Sequence, residues 1–244
     1  MHGRSEPGSN PARDAIAERV EALFTRSDGY YRFARWARPL VPACFGLEDE
    51  AARVMREAIG AVAALTGLGT AAEDPDLGVN TMVFACEDWV DLRATPGLDQ
   101  LIPDIARLTQ VLAAAGANQY RIFGFEPEGA AHPGAIRLSI TLIRWDEDLA
   151  RLPWRVIAAS QSVQSVLLWS DHAFTAESPV AEIEGTGRAV VVPFVQDLVR
   201  AAHAPGLPDA ADDAAHAALL AGAMRHAALG DAGDPAGDAD GDAA

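Results

Sequence analysis

Ala158–His172 reads AASQSVQSVLLWSDH. Two spacings overlap in and just before it. Leu152, Val156, Ala159, Val163 and Val166 recur every four and three residues, the signature of one apolar stripe on an α-helix, so the spacing predicts a helix over about Leu152–Leu168 with that stripe toward the core. Ser160, Gln161 and Gln164 fall beside the stripe as one contiguous polar patch, because residues four apart lie one turn above each other. On this wheel an aspartate at Val163 is expected to unfold the domain and one at Ser162 to be mild.

Outward from this helix the pattern alternates between helices and strands. Pro11–Arg26 and Glu48–Thr66 carry helical apolar spacing, the second closed by Gly67, and a third helix fits Leu98–Ala115. RFARWARPLVPACFG mixes aromatics with two prolines and reads as an edge strand. VNTMVFAC, NQYRIFGF and AIRLSITLIRW read as strands, the last alternating at Ile136, Leu138, Ile140 and Leu142. Asp146 is placed to cap the next helix, and further helices fit about Val190–His203 and Asp209–Leu229. This order, without internal repeat, predicts an α+β fold: one domain over 12–229 with a small mixed sheet packed against several helices, a disordered leader over 1–11 and a disordered acidic tail over 230–244. The aspartates of the tail, DAGDPAGDADGDAA, lack the later carboxylate and flanking helix of an EF-hand loop.

Composition excludes several functions. The chain has 244 residues, 50% hydrophobic and 22% charged, with a net charge of −16, which opposes attraction to nucleic acid or anionic membranes. All 19 basic residues are arginine. Cys44 and Cys86 are the only cysteines, too few for a disulfide scaffold or a CxxC site, and read as free thiols. No apolar h-region or membrane-length apolar run occurs, so a cytoplasmic protein is expected. No GxSxG elbow or phosphate-binding loop is present, and EGTGR at Glu184–Arg188 lacks the glycines and context of one. His132, His172 and His203 share no ligand spacing.

The quoted helix resembles the zinc-peptidase pattern HExxHxxGxxHD with its chemistry replaced. The three ligand positions carry Ser160, Gln164 and Ser170, and the general-base position carries Gln161; only Asp171 is retained. Serine hydroxyls and glutamine amides are weak zinc ligands, and an amide takes up no proton near neutral pH, so no metal, cofactor or peptidase chemistry is expected there. More broadly, Arg35, Trp36 and Pro39 in RWxxP, LTGL at Leu65–Leu68 with the following Asn80, Gln164, Leu168 and Asp171 on the helix, and Pro205–Gly206 resemble an uncharacterised bacterial zincin-like family whose members are usually exported. Leu167 stands where that pattern has glycine, which predicts a lengthened helix or a reshaped loop after it. The resemblance implies a diverged, non-catalytic, degenerate metallopeptidase-like domain that binds a protein or peptide through a remnant cleft of Ser160, Gln161, Gln164, Ser170 and Asp171. Two alternatives stand beside it: a hydrolase with an unrecognised site near Asp171 and His172, and a structural assembly subunit.

Overall fold

AIRLSITLIRW becomes the spine of the molecule because both of its faces are covered. The computed structural model describes residues 11–230. In chain order its elements are α1 (Pro11–Phe24), β1 (Phe33–Ala34), β2 (Pro42–Phe45), α2 (Asp49–Leu65), β3 (Thr81–Cys86), a 3₁₀ helix (Trp89–Ala94), α3 (Leu98–Leu101), α4 (Ile105–Ala114), β4 (Gln119–Phe125) and β5 (Ile136–Arg144). They continue with α5 (Glu147–Ala150), α6 (Trp154–Gln164), β6 (Val180–Ile183), β7 (Arg188–Val191), α7 (Pro193–Ala202), β8 (Ala210–Ala211) and α8 (Ala215–Gly230). The architecture is α+β, with a mixed four-stranded sheet of order β2-β3-β5-β4; β2, β3 and β5 run parallel and β4 antiparallel to β5. Parallel pairing of β2 with β3 requires a crossover, which α2 supplies.

One sheet face packs Phe84, Ile140 and Leu142 against Trp89, Leu98, Ile105 and Leu112 of the 3₁₀ helix, α3 and α4. The other packs Val83, Ile136 and Ile143 into the larger core with α2, α6, α7 and α8. The chain must turn sharply between β2 and α2, where Gly46 takes φ +70°; a Cβ there would meet the Ala85 carbonyl oxygen at 2.0 Å, so no other residue fits. Gly67 closes α2 as expected, with φ +74°.

Several sequence expectations are corrected. The third helix is split, with α3 and α4 separated by Ile102–Asp104, because Pro103 cannot continue a helix and Asp104 takes φ +65°. Asp146 caps α5, its carboxylate accepting from the amides of Asp148 and Leu149 at 3.1 and 3.0 Å, while α6 starts separately after Pro153. Helix α6 ends at Gln164, four residues early. Leu167, fully buried, forms a bridge with Arg35, and the Leu168 amide donates to the Ala34 carbonyl at 2.9 Å, so the segment after α6 is drawn into extended pairing rather than a longer helix.

The core-facing side of α6 is also wider than its stripe. Helix α6 is packed by α2 on one side and by the β6–β7 hairpin on another. Ile157, Ala158, Gln161, Ser162 and Val163 are all buried, whereas Leu152 is exposed and Val156 and Ala159 are half-buried. Ser162 donates its hydroxyl to the Ala158 carbonyl at 2.7 Å. Aspartate at Ser162 would therefore bury a charge as surely as at Val163, and both changes are expected to be severe.

EGTGR is the turn of the β6–β7 hairpin, with Gly185 and Gly187 at positive φ, and because β7 runs to Val191 the helix expected from Val190 starts at Pro193. The last helix starts at Ala215 because Ala210–Ala211 pairs with β1. Pro11, placed in the leader, is the first residue of α1; residues 1–10 and 231–244, and with them most of the leader and the acidic tail, lie outside the described residues. Among the described residues no helix is long and apolar enough to cross a membrane. Cys44 and Cys86 are both free, and burial pushes the Cys86 thiol up to about 12.

The candidate cleft between strand β4 and helix α6

β5 alternates apolar Ile140 and Leu142 with Ser139 and Thr141, and such an alternation ordinarily turns its hydroxyls to solvent. Here both hydroxyl residues are buried. Antiparallel pairing sets Arg121 opposite Thr141, Gln119 opposite Ile143 and Phe123 opposite Ser139, all projecting to the side covered by α6. The glutamines of α6 meet this polar strip.

Arg121 organises it. Its Nε donates to Thr141 Oγ1 at 3.3 Å, Nη1 donates to Gln164 Oε1 at 3.4 Å, and Nη2 donates to Gln161 Oε1. Gln161 Nε2 in turn donates to Gln119 Oε1, and Gln164 Nε2 donates to Ser160 Oγ at 3.0 Å. Among the described residues no carboxylate pairs with Arg121, and the protein packed about its guanidinium pulls the pKa down to about 10, which leaves it charged at neutral pH. Each terminal nitrogen has two N–H groups and spends one, so donor capacity remains.

Beside this network lies an open groove of about 510 Å³. Gln119–Phe123 and Phe125 of β4 form one wall, and Gln164, Leu168, Trp169, Ser170 and Asp171 form the other, with Arg26 at the rim. Ser170 is 7% exposed, and its hydroxyl has no hydrogen-bond partner among the described residues.

The structure thus brings all five predicted residues into one neighbourhood, with different roles from those expected. Ser160, Gln161 and Gln164 belong to the Arg121 network, whereas Ser170 and Asp171 line the groove. A guanidinium, which the sequence reading did not include, is the cation over the helix. Its signal was available: Arg121 is the one charged residue on a face of β4 that it shares with Gln119, Phe123 and Phe125.

Asp171 is a loop anchor. It accepts from the Ser27 amide at 2.9 Å and from the Ser27 hydroxyl, and these bonds hold its carboxyl well below the usual carboxylate range. For the alternative of a hydrolytic set near Asp171 and His172, the acid and imidazole are adjacent, with His172 Nδ1 3.4 Å from Asp171 Oδ1, while the hydroxyl bonded to that carboxylate is that of Ser27 and those of Ser160, Ser162 and Ser165 bond within α6 and its end. His172 also lines a neighbouring pocket with Arg19, Phe174 and Phe194. His132 Nδ1 lies 2.8 Å from Asp209, which also pairs with Arg35 at 2.7 Å, and His203 stands in the field of the same pair. Among the described residues no group of three histidine, cysteine or acidic side chains is arranged to hold a metal ion.

The other residues carrying the zincin-like resemblance are structural crossroads. Trp36, fully buried, donates its indole N–H to the Ser165 carbonyl at 2.9 Å and so ties the β1 segment to the end of α6. Arg35 reaches the Leu207 carbonyl at 3.2 Å as well as Asp209, just past Gly206 at φ +85°. Asn80 accepts from the Val41 amide at 2.7 Å and donates to Asp74 at 2.9 Å. Comparison with known proteins finds no matching family model, no matching curated protein and no matching solved structure. The zincin-like resemblance stands on these residues alone.

Proposed function

We propose that this protein is a non-catalytic binding module that takes an extended segment of a protein or peptide along the free edge of β4, through the cleft that the zincin-like resemblance marks as a remnant. One observation carries the reading: β4 is a seven-residue, proline-free edge strand with a strand neighbour on one side only among the described residues, and its residues 119–123 form a continuous wall of an open groove. Such an edge presents a row of backbone donors and acceptors, which a second chain satisfies by adding a strand while its alternate side chains enter the groove. The opposite edge is less suited, since β2 has four residues and contains Pro42. The polar patch of α6 supports the same reading, because Gln161 and Gln164 spend their amides holding a side chain of β4 in place.

Selection of decapeptides from a random display library on the full chain, followed by amide hydrogen exchange of the complex, tests the proposal. Binders are expected to have an extended pattern and to slow exchange at outward-facing amides of β4. Protection confined to β2, or to no strand edge, would overturn it. The reading of a structural assembly subunit predicts instead self-association without peptide binding, visible in sedimentation.

A further inference from the structure

Resting on that strand-addition reading, we infer that the groove selects a peptide carrying one carboxylate, seated at Arg121, Arg26 and Ser170, with apolar side chains at the next two alternate positions along the strand. Three features converge on the carboxylate. Arg121 keeps unused N–H groups and has no acidic partner among the described residues; its neighbours in the fold are neutral amides and a hydroxyl. Arg26, half-buried at the groove rim, likewise makes no side-chain hydrogen bond or ion pair among the described residues. Ser170 contributes a buried hydroxyl without a partner among the described residues, a donor whose isolation is costly until a ligand meets it.

Charge sets the valence. Arg26 and Arg121 supply two positive charges to the groove lining and Asp171 one negative, a balance of 2 − 1 = +1. A single carboxylate neutralises that balance, whereas a phosphate dianion would exceed it beside Asp171. This basic pocket is also local, since the whole chain carries −16, so it selects for placement of one acid rather than for overall acidity.

The strand geometry supplies the rest of the pattern. Arg121, Phe123 and Phe125 alternate along β4 and share one face; Phe123 is half-buried and Phe125 is 42% exposed. A strand added at this edge sets its own same-face residues opposite them, so an acid opposite Arg121 is followed at every second position by residues over Phe123 and Phe125, where Leu168 and Trp169 complete an apolar wall.

The test uses a fluorescein-labelled decapeptide in which one aspartate is followed at alternate positions by valine and leucine, together with its sequence-reversed form so that both strand directions are sampled. Asparagine and phosphoserine counterparts of each complete the set. Fluorescence anisotropy with the full chain is expected to show the aspartate peptide binding at least about tenfold more tightly than the asparagine one, the size of a charge-assisted hydrogen bond. The phosphoserine peptide is expected to be no tighter. Arg121→Gln should abolish the preference, and Arg26→Gln, at the rim where folding is not at stake, should reduce it. Equal binding of aspartate and asparagine peptides would overturn the carboxylate seat and leave strand addition standing, and tighter phosphoserine binding would overturn the single-charge argument. A titration with N-acetyl-aspartate amide, following the Arg121 side-chain N–H resonance, separates the two readings. A response without any peptide binding would keep the seat and sink strand addition, and no response would sink the seat.

Discussion

Two arginines of this protein sit in opposite surroundings. Arg38 is gripped by three carboxylates: Asp74 at 3.2 Å, Asp76 at 2.9 Å and Glu126. Arg121 sits among Gln161, Gln164 and Thr141. Both side chains are drawn into the fold, yet only the first has its charge matched. A half-buried cation gripped by carboxylates is a structural joint. A cation held by neutral amides is fixed in position while its charge remains available to something else. The same side chain thus marks a brace in one region and a candidate recognition site in the other, and what separates them is the chemistry of their neighbours.

Among substitutions, the largest expected effect is the contrast between removing each. Arg38→Met removes the cation beside the buried carboxylate of Asp74, which keeps its bonds from Asn80 and the Asp76 and Leu77 amides, and should cost about 2 kcal/mol in urea denaturation. Arg121→Met leaves amides that can bond one another and should change stability by less than about 1 kcal/mol while removing the preference for the aspartate peptide. Equal losses would erase the distinction.

Acid should act on the matched side of the molecule first. Burial, with the nearby Arg35 charge, lowers His203 and His216 to about 4, so both rings fold neutral. The unfolded chain takes up protons below about 6.5 and the native chain does not, so their contribution is complete above that pH and is lost as the pH falls toward about 4. Each ring accounts for a loss on the order of 3 kcal/mol. Asp74 follows: burial pushes its carboxyl up, but hydrogen bonds from Asn80, the Asp76 and Leu77 amides and Arg38 outweigh that and hold it low, so its contribution disappears only below about 4. Melting temperature against pH should therefore fall most steeply between about 6.5 and 4, with His203→Gln flattening part of the slope. The same slope in Arg121→Met would show that the Arg121 network plays no part in this window.

A smaller effect should come from making the second region resemble the first. Gln161→Glu gives Arg121 a carboxylate of its own. Coulombic gain and the desolvation of the new charge oppose each other, so stability should shift by less than about 1 kcal/mol, but aspartate-peptide affinity should fall about tenfold because the guanidinium is now matched. Unchanged peptide affinity would mean that Arg121 is not the seat. Smallest of all, Ser160→Ala removes only a bond to the Gln164 amide on a half-buried face and should change stability by about 0.5 kcal/mol or less and peptide affinity by less than about twofold.

The β5 segment shows what was legible and what was not. Its alternation at Ile136, Leu138, Ile140 and Leu142 foretold the strand, and the helical spacing of Glu48–Thr66 foretold α2 to within a residue at each end. The β6–β7 hairpin was missed because Val180–Ile183 and Arg188–Val191 are four residues each, too short for a periodicity to register, although the glycines of EGTGR marked the turn. For the cleft, Ser160, Gln161, Gln164, Ser170 and Asp171 were assembled by analogy with a metal site, while Arg121, Gln119 and Arg26, which give the cleft its present chemistry, come from other elements.

By itself the sequence determined the local elements and the absence of strong zinc ligands on α6, since periodicity, caps, prolines and ligand types act within a few residues of chain. The tertiary structure alone decided that Ser139 and Thr141 are inside, that Ser162 is as buried as Val163, that Asp171 anchors Ser27 and that Arg121 meets glutamines rather than acids. Those outcomes depend on what α6 is packed against on each side, and contacts between residues 20 to 144 apart in the chain leave no period in the sequence.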